Sequence, residues 1–458
     1  EGAADATWAE IGEGGAGTTV PVPVPYCLQC RWSTHCTAQW EAADDLSLVA
    51  GMRPAYREAL QEAGLGTVEA LAAHPRDDPP VTLTRRAWTR LHEQAGLQVA
   101  ERRTGRAEYT LLDPEPGRGL LALPAPSPGD VYLDFEGDPF AEEGRGLEYL
   151  AGLLDRAGEF TAWWAHDPAA ERRLVHDLLT DLHHRWLADP GLHVYHYAAY
   201  EVTRLKELTG RHAVAEDLLD AMLRAEVFVD LYQVVRQALR ISKPSYSIKK
   251  LEDFYWGQVR GATQDGEVTD ALDSVVQYER WLIERDDATL ERIRAYNEVD
   301  VRSTLALHEW LEQRRDELAE STGPLPRPGE GVEPRDPWEV SDRAAAQVAL
   351  AESLREAGMP LWAGLVGWHR REDRPAWWDY FRADDMDTTE LVADPVMVGG
   401  LSAPVEVGRE KQSTLWRYTF EPQECRLEHD KAAHAALPGH ARMGTVVALD
   451  PEIGRAHV

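Results

Sequence analysis

Asp134 and Glu136 stand two residues apart in the run Val131-Tyr132-Leu133-Asp134-Phe135-Glu136-Gly137. Val131, Leu133 and Phe135 mark this run as a short buried strand, whose side chains alternate between faces. Both carboxylates therefore point the same way. Two acids on one face of an apolar strand are costly unless a cation compensates them. Hard divalent cations prefer carboxylate oxygen. Far downstream, Tyr296 and Asp300 are four apart in Tyr296-Asn297-Glu298-Val299-Asp300, a helical spacing that puts them on one face. Between the two pairs, Tyr200-Glu201 opens a helix just after a strand. The order is D-x-E, then Glu, then Y-x3-D, a candidate set of metal-ligating acids with a tyrosine beside the last.

A second constellation lies near the N-terminus. Cys27, Cys30 and Cys36 follow C-x2-C-x5-C, holding three of the four cysteines. Thiolates this close converge on one metal or cluster. Zinc would want a fourth ligand, which His35 offers; an iron–sulfur cluster would want a fourth Cys. Cys425 is isolated and reads as an ordinary cysteine.

The elements that must position these residues can be read in order. Residues 46–74 read as a small helical module, with Gly64 as a C-cap candidate and Thr67 as an N-cap. A basic helix with Arg85, Arg86 and Arg90 follows, then Arg102, Arg103 and Arg106; a solvated face is the default for such charges. Residues 113–129 are a Pro/Gly linker. Strands are expected within 130–139 and at 148–154, 160–165, 193–197 and 227–231, with helices at 167–187, 200–208 and from the end of the last strand to Arg240. Asp167-Pro168 supplies an N-cap and a first-turn proline. Ser245-Tyr246-Ser247 caps a helix carrying Lys249 and Lys250, and a long helix covers about 287–318. Three strands followed by alternating helix and strand describe a mixed α/β layer fold. A second linker spans 319–340. A Trp-rich stretch and strand-like pieces follow, at 413–420 and 444–449. Trp163, Trp164, Tyr195 and Tyr197 have the rings to stack bases but sit on strands, where core is the commoner fate. His193 and His196 read as structural.

At 458 residues the chain has room for about three domains. Its net charge of −31 weighs against indiscriminate polyanion binding, although phosphate contact needs only a local basic groove. Four cysteines argue for a reducing compartment, and a cytoplasmic location is expected. No apolar run is long enough for a membrane span, no signal peptide is visible, and G-x4-G-K-[ST] does not occur. The chain reads as a fragment, and Glu452–Val458 resembles translated adapter sequence.

Residues 130–318 resemble a ribonuclease H-like, DEDD-type 3′–5′ exonuclease domain of the YprB group, with tyrosine in the last motif. The matching pieces are Asp134-Phe135-Glu136-Gly137, His196-Tyr197-Ala198-Ala199-Tyr200-Glu201, Val229-Asp230-Leu231, Ser245 to Leu251, and Tyr296 to Asp300. The second motif departs from the family, which usually has Asn and then Phe-Asp where this chain has His196 and then Tyr200-Glu201. The resemblance implies a central ribonuclease H-like mixed sheet flanked by helices. It implies two Mg²⁺ or Mn²⁺ ions, Asp134 bridging both, and Glu136 and Asp300 completing one. Glu201 would hold the other, Tyr296 would orient the attacking water, and Lys249 or Lys250 would contact phosphate. The Cys triplet resembles the C-terminal end of RecB-type nucleases with a [4Fe–4S] cluster, which would be incomplete here. Residues 46–112 resemble a helix-hairpin-helix region.

The whole layout resembles bacterial RecB-family nuclease–helicase fusions. It implies a RecB-type remnant at 1–45, the helical region, the linker, the exonuclease domain, a second linker, and a connector with a small β-region at 341–458. A helicase would follow. The expected function is a 3′–5′ exonuclease acting on DNA, with RNA a further substrate class. The alternative is a catalytically weak DNA-end-binding adaptor.

Overall fold

The computed structural model describes residues 21–24, 27, 30–80, 83–256, 271–328 and 342–369, and shorter stretches between 372 and 457. The chain divides into two compact units, Glu1–Pro337 and Trp338–Val458.

Among its described residues the first unit begins with four α-helices: α1 (Ser33–Ala43), α2 (Pro54–Glu62), α3 (Val68–Ala73) and α4 (Arg85–Thr104). Proline starts α2, where its missing N–H costs nothing. Gly64 ends that helix at φ +81°, and Thr67 Oγ1 accepts from Ala70 N at 3.0 Å to cap α3. Leu46, Leu60, Val68, Leu71, Trp88 and Leu91 form their core. Of the basic residues on α4, Arg102 pairs with Asp44, and Arg103 with Glu69 at 2.7 Å. Arg85 and Arg86 are exposed, while Arg90 is turned inward.

Strand β1 (Tyr109–Leu111) leaves this module, and the sheet begins with β2 (Val131–Asp138), β3 (Leu147–Asp155) and β4 (Phe160–Trp164). Next come α5 (Pro168–Ala188), β5 (Val194–His196), α6 (Tyr200–His212), α7 (Glu216–Arg224), β6 (Phe228–Asp230), α8 (Leu231–Ala238) and β7 (Leu239–Ile241). The unit closes with α9 (Ile248–Tyr255), α10 (Ala271–Glu284) and α11 (Asp287–Thr322). The five-stranded sheet has the order β4-β3-β2-β5-β6. Strands β2, β3 and β4 are antiparallel neighbours, while β5 and β6 run parallel to β2. This is the mixed sheet of an α/β layer fold. Short βα connections after β5 and β6 bring their C-terminal ends to the same edge as that of β2, where ligands of open α/β sheets gather.

Helix α11 crosses β2 and β3. Ile293, Tyr296, Asn297, Val301, Thr304, Leu307, His308, Leu311 and Leu318 are buried along it, the repeating spacing of one helical face. Tyr132, Leu154, Tyr195, Leu231, Leu251, Val301 and Leu311 share the central core beneath it. Tyr195 stacks on His308 at 3.9 Å between ring centroids and is fully buried, so it is core rather than a base platform.

The helix after Asp230 stops at Ala238, not Arg240, because Leu239–Ile241 pairs antiparallel with Tyr109–Leu111. Helices α7 and α10 have no counterpart in the sequence reading.

In the second unit, α12 (Asp342–Glu356), α13 (Pro360–Leu365) and α14 (Thr388–Ala393) precede the strands. β8 (Val405–Glu410), β9 (Ser413–Thr419), β12 (Ala448–Asp450) and β13 (Arg455–His457) form a four-stranded sheet, while β10 (Ala432–His434) pairs with β11 (Arg442–Thr445). Arg455–His457, set aside in the sequence reading, pairs with β9 and β12. No helix among the described residues is long and apolar enough to cross a membrane.

Candidate metal centre

Asp134, Glu136 and Asp300 come together at the middle of β2. Each offers a carboxylate oxygen, and the three oxygens lie within 4.8 Å of one another. Strand alternation aims the first two, and α11 lays the third across them. Burial raises the proton affinity of Asp134 well above the usual carboxylate range, and the charges of Glu136, Asp300 and Glu201 add to it; Lys249 opposes. Glu136 is pushed up to about 8 by burial and by Asp300, against hydrogen bonds from Ser274 and Asn297. Three carboxylates this close repel one another unless protons or a cation intervene.

Asn297 braces the cluster. Its Nδ2 donates to Asp134 Oδ2 at 2.6 Å. The carboxamide fits because Gly152 lies opposite Asp134 in the β2–β3 register. A Cβ on Gly152 would overlap Asn297 Oδ1 and come within 2.9 Å of the Phe160 ring. Ser274 on α10 bonds Glu136 from the other side, and its Oγ lies 2.7 Å from the Tyr149 hydroxyl.

Glu201 is buried at the first turn of α6 and stands outside the three-carboxylate set, though its charge reaches Asp134. His196 Nδ1 lies 3.5 Å from Glu201 Oε2. That ring nitrogen is closer to Ala198 O, at 2.6 Å, and Glu201 Oε2 is buried without a hydrogen-bond donor. Burial raises the Glu201 proton affinity, and His196 lowers it in part. Burial alone would lower the proton affinity of His196, but the Glu201 carboxylate beside it raises the balance. The turn between them places Ala198 at φ +70°, a left-handed conformation unusual for alanine, held by Asp230 Oδ1 accepting from Ala198 N at 2.9 Å. Helix α6 is fixed to β3 by Glu148, which accepts from Tyr200 Oη at 3.0 Å and pairs with Arg204 Nε at 2.6 Å.

Tyr296 is nearly buried, and Lys249 Nζ donates to its hydroxyl at 2.6 Å while lying 4.8 Å from its ring centroid. Lys250 on the same helix is exposed. The geometry thus gathers Asp134, Glu136 and Asp300, brings Lys249 to Tyr296, and sets Glu201 apart. Asn297, Ser274 and Gly152 were not singled out by the sequence reading. Asn297 carried one signal: it lies one residue after Tyr296 on the face that α11 buries.

The three carboxylates, with the undonated Glu201 oxygen nearby, fit a hard divalent cation. At the N-terminus, the Sγ atoms of Cys27, Cys30 and Cys36 do not all lie within 4.8 Å of one another, as ligands of one tetrahedral zinc would.

No curated protein and no solved structure matches the chain. A family model of the RNase_H superfamily matches residues 131–312, the span that runs from β2 into α11 and holds Asp134, Glu136, Glu201 and Asp300.

Proposed function

We propose that residues 130–318 are a metal-dependent 3′–5′ exonuclease domain of the DEDD type. The observation that carries this reading is the close trio Asp134, Glu136 and Asp300, inside the span matched to the RNase_H superfamily. Asp134, Glu136 and Asp300 would hold one Mg²⁺ or Mn²⁺, and Asp134 with Glu201 a second. When bound, two such ions supply charge stabilisation to both the attacking and the leaving oxygen of a phosphodiester. The chain's own groups do the rest. Tyr296 orients the attacking water through its hydroxyl, which Lys249 holds in place. Asn297 fixes the Asp134 carboxylate. Lys249 and Lys250 meet substrate phosphate.

The substrate is DNA, with RNA a second class. The broader reading is a YprB-like domain of a RecB-family nuclease–helicase in the cytoplasm. A helicase is its partner, residues 46–112 are a helix-hairpin-helix region, and Cys27, Cys30 and Cys36 belong to an iron–sulfur site. The separation of Glu201 from the trio favours one other reading, a DNA-end-binding adaptor with weak catalysis.

Digestion of 3′-labelled single- and double-stranded DNA and RNA with Mn²⁺, beside Asp134→Ala and Asp300→Ala, tests these readings. Stepwise loss from the 3′ end in the wild type alone supports the exonuclease. Equal cutting in all three proteins refutes it. Tight end binding without cutting selects the adaptor.

A further inference from the structure

We propose that Arg53, Arg90, Arg236 and Arg240 form a binding site for the phosphodiester backbone of a single nucleic-acid strand, beside the candidate metal centre. The proposal rests on the nuclease reading above and names where its substrate is held.

The four arginines come from two parts of the first unit. Arg53 precedes α2 and Arg90 lies on α4, in the helical module. Arg236 is on α8 and Arg240 on β7, in the sheet domain. The guanidiniums of Arg53 and Arg90 both lie over the Tyr56 ring, at 5.3 and 6.0 Å from its centroid. Arg90 lies so close over the backbone at Gly51 that a Cβ there would sit 2.6 Å from Nη1. Arg236 lies over Tyr232 at 5.4 Å, and its Nη1 donates to the Tyr232 hydroxyl at 3.2 Å. Arg240 acts electrostatically on Arg90 and hydrogen-bonds Tyr246.

Arg90 is the telling member. Among the described residues it makes no hydrogen bond or ion pair. Its principal electrostatic neighbours are Tyr56 and the other three arginines. Burial first, and then those arginines, lower its proton affinity. Elsewhere on the same helix Arg102 and Arg103 have carboxylate partners, so the chain had acids to spend. A chain of net charge −31 that gathers guanidiniums in one place has built a local anion site. The planar fork of arginine suits phosphate oxygens. Tyr56 and Tyr232 hold these guanidiniums over their ring faces, which leaves the arginine forks to meet the phosphates of the strand rather than its bases.

The track leads to the metal centre. Tyr232 packs edge-on against Tyr197 at 5.5 Å. Tyr197 follows His196, the neighbour of Glu201, and donates to Tyr246 O. Asp230 Oδ1 accepts from both Ala198 N and Tyr232 N, tying the Glu201 turn to the start of α8.

The test is fluorescence anisotropy of a fluorescein-labelled oligothymidylate with the full chain in EDTA, where no cleavage occurs, over a range of salt. The Arg90→Gln/Arg240→Gln variant is expected to bind about tenfold more weakly and to show a salt slope shallower by about one to two. Arg90→Lys, which keeps the charge, should retain the wild-type slope. Unchanged affinity in the double variant overturns the proposal, as does a slope lost equally with lysine. Should the double variant fail to fold, Arg236→Gln on α8 gives an independent measure: about threefold weaker binding supports the site, and no change overturns it. Because binding is read without metal, a chain that binds this strand through the arginines yet never cuts would refute the exonuclease reading alone.

Discussion

Asn297 reaches across from α11 to donate its amide to Asp134 at 2.6 Å, through space that Gly152 leaves open on the neighbouring strand. The contact joins the helix that carries Asp300 to the strand that carries Asp134 and Glu136. Groups that orient a metal ligand commonly matter nearly as much as the ligand. Asn297→Ala should therefore lower Mn²⁺ affinity about 10- to 100-fold while leaving the three carboxylates in place. Calorimetric titration of Mn²⁺ checks this, and a wild-type affinity in the variant would remove Asn297 from the site.

Gly152 makes a complementary prediction. A methyl group there would overlap Asn297 Oδ1, with the Phe160 ring close behind. Gly152→Ala should cost about 1–3 kcal/mol in urea unfolding. Adding Asn297→Ala should recover part of that loss, because the two changes share one volume. Strict additivity would show that the clash is relieved elsewhere.

The acidic trio bears on stability without metal. Burial and mutual charge hold Asp134 and Glu136 in an unfavourable state. Glu136→Gln keeps the shape and removes a group that must either stay charged in a buried place or take up a proton, so it should stabilise the metal-free protein by about 1–2 kcal/mol at neutral pH. The wild type should gain about 2.7 kcal/mol from Mn²⁺ at a hundredfold excess over Kd, and the variant much less. Melting curves with EDTA and with Mn²⁺ decide it; an equal metal-induced shift in both proteins would exclude Glu136 as a ligand.

Asp130, just before β2, supplies a pH prediction away from the centre. It is fully buried, and its carboxylate accepts from Ser127 N at 2.8 Å and His193 N at 3.0 Å. Burial still raises its pKa from 3.8 to about 6, against those two donors and Arg156. A carboxyl with a raised folded-state pKa adds stability that is fully present below the unfolded value. That contribution is lost as pH rises through the folded one. From about pH 4 to pH 6 the loss should approach 2–3 kcal/mol. Asp130→Asn should be less stable at low pH but flatter across this window. The urea midpoints of the two proteins, compared between those pH values, give the difference; parallel curves would contradict the assignment.

Much of the candidate site was legible because it obeys short periods. The alternation in Val131–Phe135 exposed two acids on one strand face, and the four-residue step from Tyr296 to Asp300 placed them on one side of a helix. What was not legible depends on packing between distant elements. Ser274 meets Glu136 only because α10 folds onto the sheet edge. Gly152 matters chiefly through an asparagine about 150 residues later. Leu239–Ile241 leaves the helical pattern because its partner strand lies far upstream, beyond the reach of local propensity. Arg90 shares a helix with Arg102 and Arg103, and composition alone could not tell the inward guanidinium from the paired ones.

Helix α11 has a consequence for how the centre is kept in phase. Tyr296, Asn297 and Asp300 lie in its first half, while Arg315 in its last quarter donates to the carbonyls of Leu120, Leu325 and Pro326. The interval from Asp300 to Arg315 is about 22 Å of continuous helix, and each added residue turns it by about 100°. The distant clamp thus works as an angular stop. One residue inserted between the two points, with Arg315 still seated, would swing Asp300 a quarter-turn away from Asp134, dismantling the acidic trio without touching any of its members.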